Sequence, residues 1–265
     1  MSDAWRLAFG TLTTWRVPPP REITPTVAGR AMLLAPLTMV PVLTLLGVPL
    51  WALAAIGFAP PPGVLAALLT AVLVLSTRAM HLDGLADTAD GLSASYDRER
   101  ALEVMKRSDI GPSGVAAIVL ALALQIASLA ALASTGGALW LAAVAVLASR
   151  QALAWACHRR MPSATPGGLG ATVAGTVSTA ALATSWFCLF TVALVACFVT
   201  GLPLAAGVAV VVAPLVAVLA LLARCRRRLG GITGDVLGAC VEISLTTALA
   251  TAALATTASA VLVTA

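Results

Sequence analysis

The sequence predicts an all-α fold, a polytopic membrane helix bundle of about seven transmembrane helices with a cytoplasmic N-terminus. Three observations carry that prediction. The 265 residues are 60% hydrophobic and only 10% charged, a balance that suits lipid rather than water as the surrounding solvent. Apolar runs near the roughly 20 residues that a hydrocarbon core of about 30 Å requires recur along the chain, rich in Ala and Leu and lacking the strict alternation of barrel strands. The 16 Lys and Arg residues all fall on one side of the bundle that these runs would build, or at its near edge, which is the bias of cytoplasmic loops.

The elements follow in order. Met1–Arg21 has scattered arginines and prolines and no compact apolar core, so it reads as other than a removable signal. Residues 1–30 form a cytoplasmic or interfacial segment, with Trp5–Trp15 on the membrane interface. The first span, Ala31–Phe58, is interrupted by Pro36, Pro41 and Pro49, which a membrane bundle tolerates because neighbouring helices satisfy the freed carbonyls. The second, Gly63–Ala79, continues as helix into a cytoplasmic acidic loop and helix over residues 80–113. Within it "DRERALEVMKR", residues 97–107, reads as an amphipathic surface helix with Glu103 and Arg107 at i, i+4 spacing. Spans Gly114–Leu132 and Ala138–Cys157 come next. A glycine-rich connection over residues 164–175 lacks a Walker pattern. Ala181–Thr200 and Leu204–Ala223 follow, then Arg224–Arg228 as a topogenic and headgroup anchor, and last Val241–Val263. The whole of residues 1–265 forms one integral-membrane catalytic domain. The pI of about 9.4 reflects this topology and not nucleic-acid binding. Cys157, Cys188, Cys197, Cys225 and Cys240 have no CxxC spacing, so no disulfide or zinc framework is implied.

Acids carry the functional signal. Of eleven acidic residues, Asp83, Asp87, Asp90, Asp97, Glu99, Glu103 and Asp109 crowd into one stretch. In "HLDGLADTADGL", residues 81–92, Asp83, Asp87 and Asp90 are spaced four and three apart, which places them on one helical face. Like charges so placed repel unless something positive sits among them. Thiol-free oxygen surroundings favour Mg²⁺, which binds through one or two carboxylates and shares its other positions with water and substrate phosphates. A solvated helix cap is the bland alternative, and Gly84 and Gly91 speak against it by inviting close approach of a ligand or another backbone. His81 could orient a carboxylate, accept a proton from a hydroxyl or simply bond the backbone. In "GGITGDVLGACVE", residues 230–242, Asp235 and Glu242 are seven apart and share a face as the chain enters the last span. Glu242 at the membrane edge is costly and hence a functional candidate. Arg150, well inside the fourth span, fits snorkelling, a salt bridge or a substrate phosphate equally. Lys106, the single lysine, has a surface role or a phosphate contact.

Such carboxylates suit metal-assisted phosphoryl transfer. The strings "HLDGLADTADGL", "MKRSDIGPSG" and "GGITGDVLGACVE", in this order with spans between, resemble the cobalamin synthase, or adenosylcobinamide-GDP ribazoletransferase, family. That resemblance covers nearly the whole chain. It implies that adenosylcobinamide-GDP and α-ribazole or α-ribazole 5′-phosphate are joined to give adenosylcobalamin or its phosphate plus GMP, with Mg²⁺ as cofactor, in the cytoplasmic membrane of a bacterium or archaeon. It implies His81, Asp83, Asp87 and Asp90 as catalytic, the three aspartates as metal ligands, and Lys106, Ser108, Arg150, Asp235 and Glu242 as substrate-binding. Leu245 stands where a further acid is common in the family, so Asp235 and Glu242 are expected to position substrate rather than hold metal. Membrane lipid is an expected partner, and homo-oligomer formation is left open. Two rivals are a CDP-alcohol phosphotransferase of lipid synthesis, whose motif carries an Ala-Arg absent here, and a cation-coupled transporter, whose acids would sit at the midplane.

Overall fold

The computed structural model describes residues 1–94 and 96–264, with side chains described as far as Ala258. Among these residues the only regular secondary structure is helical, with two isolated bridges, His158 to Val177 and Ser163 to Ile232, and no strand.

Helix α1 (Asp3–Leu12) is amphipathic and buries Ala4, Leu7, Ala8 and Leu12. Its Trp5 ring stacks on Phe9, which in turn meets Trp15. Thr24 caps α2 (Pro25–Leu34), accepting the Val27 N–H at 3.2 Å, and Pro25 occupies a first-turn position where a missing N–H costs nothing. A 3₁₀ turn, Ala35–Met39, leads into α3 (Val40–Ala55). Pro36 and Pro41 sit in the opening turns of these two segments, so of the three prolines of this span only Pro49 lies inside a helix. The first span therefore begins six residues before the expected Ala31.

The second span corrects the sequence reading. Helix α4 (Pro62–Ser76) does not run on into the acidic stretch: it stops, and α5 (Met80–Ala94) leaves at 86°. Arg78 and Ala79 make the corner in left-handed conformation, φ 57° and 56°, a region that disfavours side chains with a Cβ. The corner is held from outside, since the Thr14 N–H donates to the Ser76 carbonyl at 2.9 Å.

The remaining helices are α6 (Arg98–Val104), α7 (Pro112–Ala133), α8 (Leu139–Ala156), α9 (Gly168–Val173), α10 (Thr179–Thr200), α11 (Leu204–Leu229) and α12 (Gly234–Thr264). Helix α6 ends before Arg107, so Glu103 pairs with Arg100 at 2.9 Å instead of the expected Arg107. Gly230 in left-handed conformation, φ 83°, ends α11, and Thr233 caps α12 by accepting the Val236 N–H. The last helix thus starts seven residues before the expected Val241. Among the described residues, six helical stretches are long and apolar enough to cross a membrane: α2 through α3, α7, α8, α10, α11 and α12. The bent α4–α5 pair makes a seventh if taken as one crossing.

Helices α8 and α12 are the inner pair, largely buried, while α10 turns Phe187, Phe198 and Val199 outward. The bundle has two unlike ends. At the uncharged one, Gly137 abuts Thr200. At the other, Arg98 donates to the Ala164 carbonyl at 2.9 Å, Ala164 pairs with Ile232, and Gly29 packs on Thr176. The acidic stretch lies at that arginine-bearing end.

Candidate active site

Helices α5 and α12 cross where neither has a side chain. A Cβ built on Gly84 would sit 2.6 Å from the Asp235 carbonyl oxygen and 3.1 Å from the Gly238 Cα, and one on Gly238 would sit 3.2 Å from the Cα atoms of Gly84 and His81. Glycine at both positions is what lets the backbones touch, as small residues do between membrane helices. The expectation that Gly84 marks a close approach is met by a backbone, and Gly91 is met by the Met105 side chain of the following turn.

This crossing brings the acids of two separate segments together. Asp83 is exposed, Asp87 and Asp235 are half-buried, and the charges of Asp83, Asp235 and Asp90 all act on Asp87. Asp235 lies in the first turn of α12 and accepts the Thr233 hydroxyl at 3.2 Å; the positive end of that helix favours its charge. Among the described residues, Asp83, Asp87 and Asp235 form no ion pair. Negative charge is therefore concentrated there without a protein counter-ion, an arrangement that attracts a cation.

The expected trio of α5 does not stay together. Asp90, 8% exposed, turns to α7, where its two oxygens accept the N–H groups of Gly111 at 2.7 Å and Gly114 at 2.8 Å. It caps a helix that supplies no side-chain cap of its own. No group of three or more His, Cys, Asp or Glu among the described residues is arranged as a metal cage.

His81 also departs from expectation. Two residues before Asp83, it lies roughly 200° around the helix and points into the bundle, 2% exposed, with neither ring nitrogen hydrogen-bonded among the described residues. Arg150 and Glu242 are likewise interior, 2% and 5% exposed. Glu242 accepts the Gln125 amide at 2.8 Å and feels the charge of Arg150, whose Nη1 donates to Ser149. Lys106 and Ser108 are exposed in the turn between α6 and α7, beside Gly111. Gln125, Thr233 and Gly238 went unnoticed in the sequence. The detectable signal was Gln125, an amide in the middle of an apolar span. The glycine-rich connection packs its Gly170 against Ile232 and Thr233, so it braces the start of α12.

Chemically, the site offers hard oxygen donors from two helices at the polar end of a membrane bundle, open to solvent on one side. That donor set suits a small divalent cation shared with a phosphorylated ligand.

A family model described as Cobalamin-5-phosphate synthase matches residues 4–253. An adenosylcobinamide-GDP ribazoletransferase from a Nocardioides species is 43% identical over 247 residues, 92% of this chain and 96% of that relative. Proteins of the same name from Frankia casuarinae and Syntrophobacter fumaroxidans are each 37% identical, covering 90% and 89% of this chain and 90% and 93% of their own lengths. No solved structure matches the chain.

Proposed function

The chain belongs to the cobalamin-5-phosphate synthase family, and from that premise we propose that it is an adenosylcobinamide-GDP ribazoletransferase of the membrane. A hydroxyl of α-ribazole, or of its 5′-phosphate, attacks the phosphorus on the cobinamide side of the diphosphate. The bond to the GMP phosphate breaks, the hydroxyl proton is lost, and adenosylcobalamin or its phosphate leaves with GMP. The observation that supports this reading is the meeting of Asp83 and Asp87 with Asp235 across the Gly84–Gly238 contact.

We assign Mg²⁺ to this site. Unpaired carboxylates from two helices fit a metal that takes one or two protein ligands and completes its shell with phosphate and water. Drawn from Asp83, Asp87 and Asp235, one or two carboxylates would hold it while the rest add negative charge around it, and when bound it neutralises diphosphate charge during transfer. Asp90 serves the site differently, by fixing α7 against α5. The protein's own part is orientation: the acids sit on two helices locked by backbone contact, which keeps their spacing without reorganisation. The arginines at the same end support a site that faces the cytoplasm, by the positive-inside bias.

The test incubates membranes containing the chain with adenosylcobinamide-GDP, α-ribazole and Mg²⁺ and measures cobalamin and GMP. Product from the wild type and none from Asp83→Asn supports the reading. No product from the wild type, where a known enzyme of this name is active, overturns it.

A further inference from the structure

For Asp235 to face the acids of α5, α12 must keep one rotation about its own axis. Asp235, Gly238 and Glu242 follow at three- and four-residue steps and share a face. The first step meets the charge of Asp83, the second touches Gly84 and His81, and the third enters the interior.

There the helix is gripped. The Gln125 amide, 2% exposed on α7, donates to Glu242 Oε2 at 2.8 Å and to Thr246 Oγ1 at 3.0 Å. One side chain therefore holds two successive turns of α12. Arg150 brings the opposite charge from α8, and Ser244 ties α12 to the Ala148 carbonyl of the same helix at 3.3 Å. Turning α12 enough to swing Asp235 away would break both Gln125 bonds and strand a buried carboxylate. A buried charge left uncompensated is strongly destabilising, more so in a membrane bundle. Arg150 and Glu242 are too enclosed to meet a ligand arriving from solvent.

We propose that Gln125 and Glu242 are positioning residues that lock the rotation of α12 and so aim Asp235 at Asp83 and Asp87. This rests on the reading of those aspartates as the reaction site.

Steady-state kinetics on the purified full chain compare Gln125→Leu, Glu242→Gln and the exchange Gln125→Glu with Glu242→Gln, which restores an amide–carboxylate bond and the net charge. Each of Gln125→Leu and Glu242→Gln is expected to lower kcat about 10- to 100-fold with KM for both substrates changed less than about threefold. The exchange is expected to recover most of the loss, which a general folding defect would not do. A raised KM at normal kcat would overturn the proposal by making Glu242 a substrate contact, and so would an exchange no better than Glu242→Gln alone. Should Gln125→Leu fail to accumulate, Gln125→Asn, one methylene too short for both acceptors, is read the same way.

A second measurement needs no substrate. Asp83→Cys and Asp235→Cys are introduced together in a Cys188→Ser background and joined with a short bifunctional thiol reagent. Gln125→Leu is expected to lower the cross-linked fraction, and an unchanged fraction overturns the proposal. If the wild type makes no product while cross-linking still depends on Gln125, the reading of function fails and the positioning stands.

Discussion

Substituting Gly84 by alanine tests the helix crossing on which the site depends. The added methyl would lie 2.6 Å from the Asp235 carbonyl oxygen, where ordinary contact begins near 3.4 Å, so α5 and α12 must part by roughly 0.8 Å. The atoms it meets are backbone on both sides, Asp235 and Gly238, and no side chain can swing away to make room. Overpacking of this kind costs about 1–3 kcal/mol, and the better helix propensity of alanine returns roughly 1 kcal/mol of that. The net loss of stability is therefore about 0–2 kcal/mol, which the fold survives. Catalysis suffers more, because displacing reacting groups by about 1 Å costs on the order of 100-fold, close to 2.7 kcal/mol of barrier. Turnover at saturating substrate and thermal unfolding in detergent are measured on the same preparations. Gly47→Ala is the control, since a Cβ there meets nothing within 4 Å; it should leave turnover unchanged. Turnover of Gly84→Ala within about threefold of wild type would refute the reasoning, because the acids would then tolerate the separation that the contact prevents.

Three further outcomes follow from the same geometry. Asp83→Asn should abolish product formation while leaving the unfolding temperature unchanged or higher, since it removes one of several mutually repelling charges; a large loss of stability would mean that Asp83 is structural. Asp90→Ala should do the reverse in kind, destabilising the protein by about 1–2 kcal/mol as the Gly111 and Gly114 N–H groups lose their acceptor, seen as a lower unfolding temperature. Chelation with EDTA should stop GMP release and added Mg²⁺ should restore it, with Asp87→Asn requiring a higher Mg²⁺ concentration for half-maximal rate; activity indifferent to chelation would remove the metal from the site.

Much of this was legible because lipid imposes simple rules. Apolar length marked the spans, and the placement of arginines marked the ends of the bundle. The shared face of Asp235 and Glu242 came from helical spacing alone, and α12 carries both residues on that face. The break between α4 and α5 was hidden, because Arg78 and Ala79 turn the corner without glycine or proline. What holds it there is Thr14, far away in the chain. Asp90 misled for a related reason. Periodicity puts it beside Asp83 and Asp87, but its partners are backbone groups 21 and 24 residues onward, and a helix needing a cap carries no sequence mark saying which side chain will supply it. His81 was read with its neighbours in the motif, although a two-residue step on a helix reverses direction. Gln125 could have been found, since an amide within an apolar span seeks a partner among neighbouring helices.

The proposed mechanism centres on acids of α5 and α12 holding one divalent ion, and metal binding reports on that without turnover. Mn²⁺ added to the purified chain in place of Mg²⁺ can be followed by paramagnetic resonance, with and without adenosylcobinamide-GDP. The expected result is binding that tightens with the diphosphate and weakens in both Asp83→Asn and Asp235→Asn. Equal binding by wild type and both variants would contradict it.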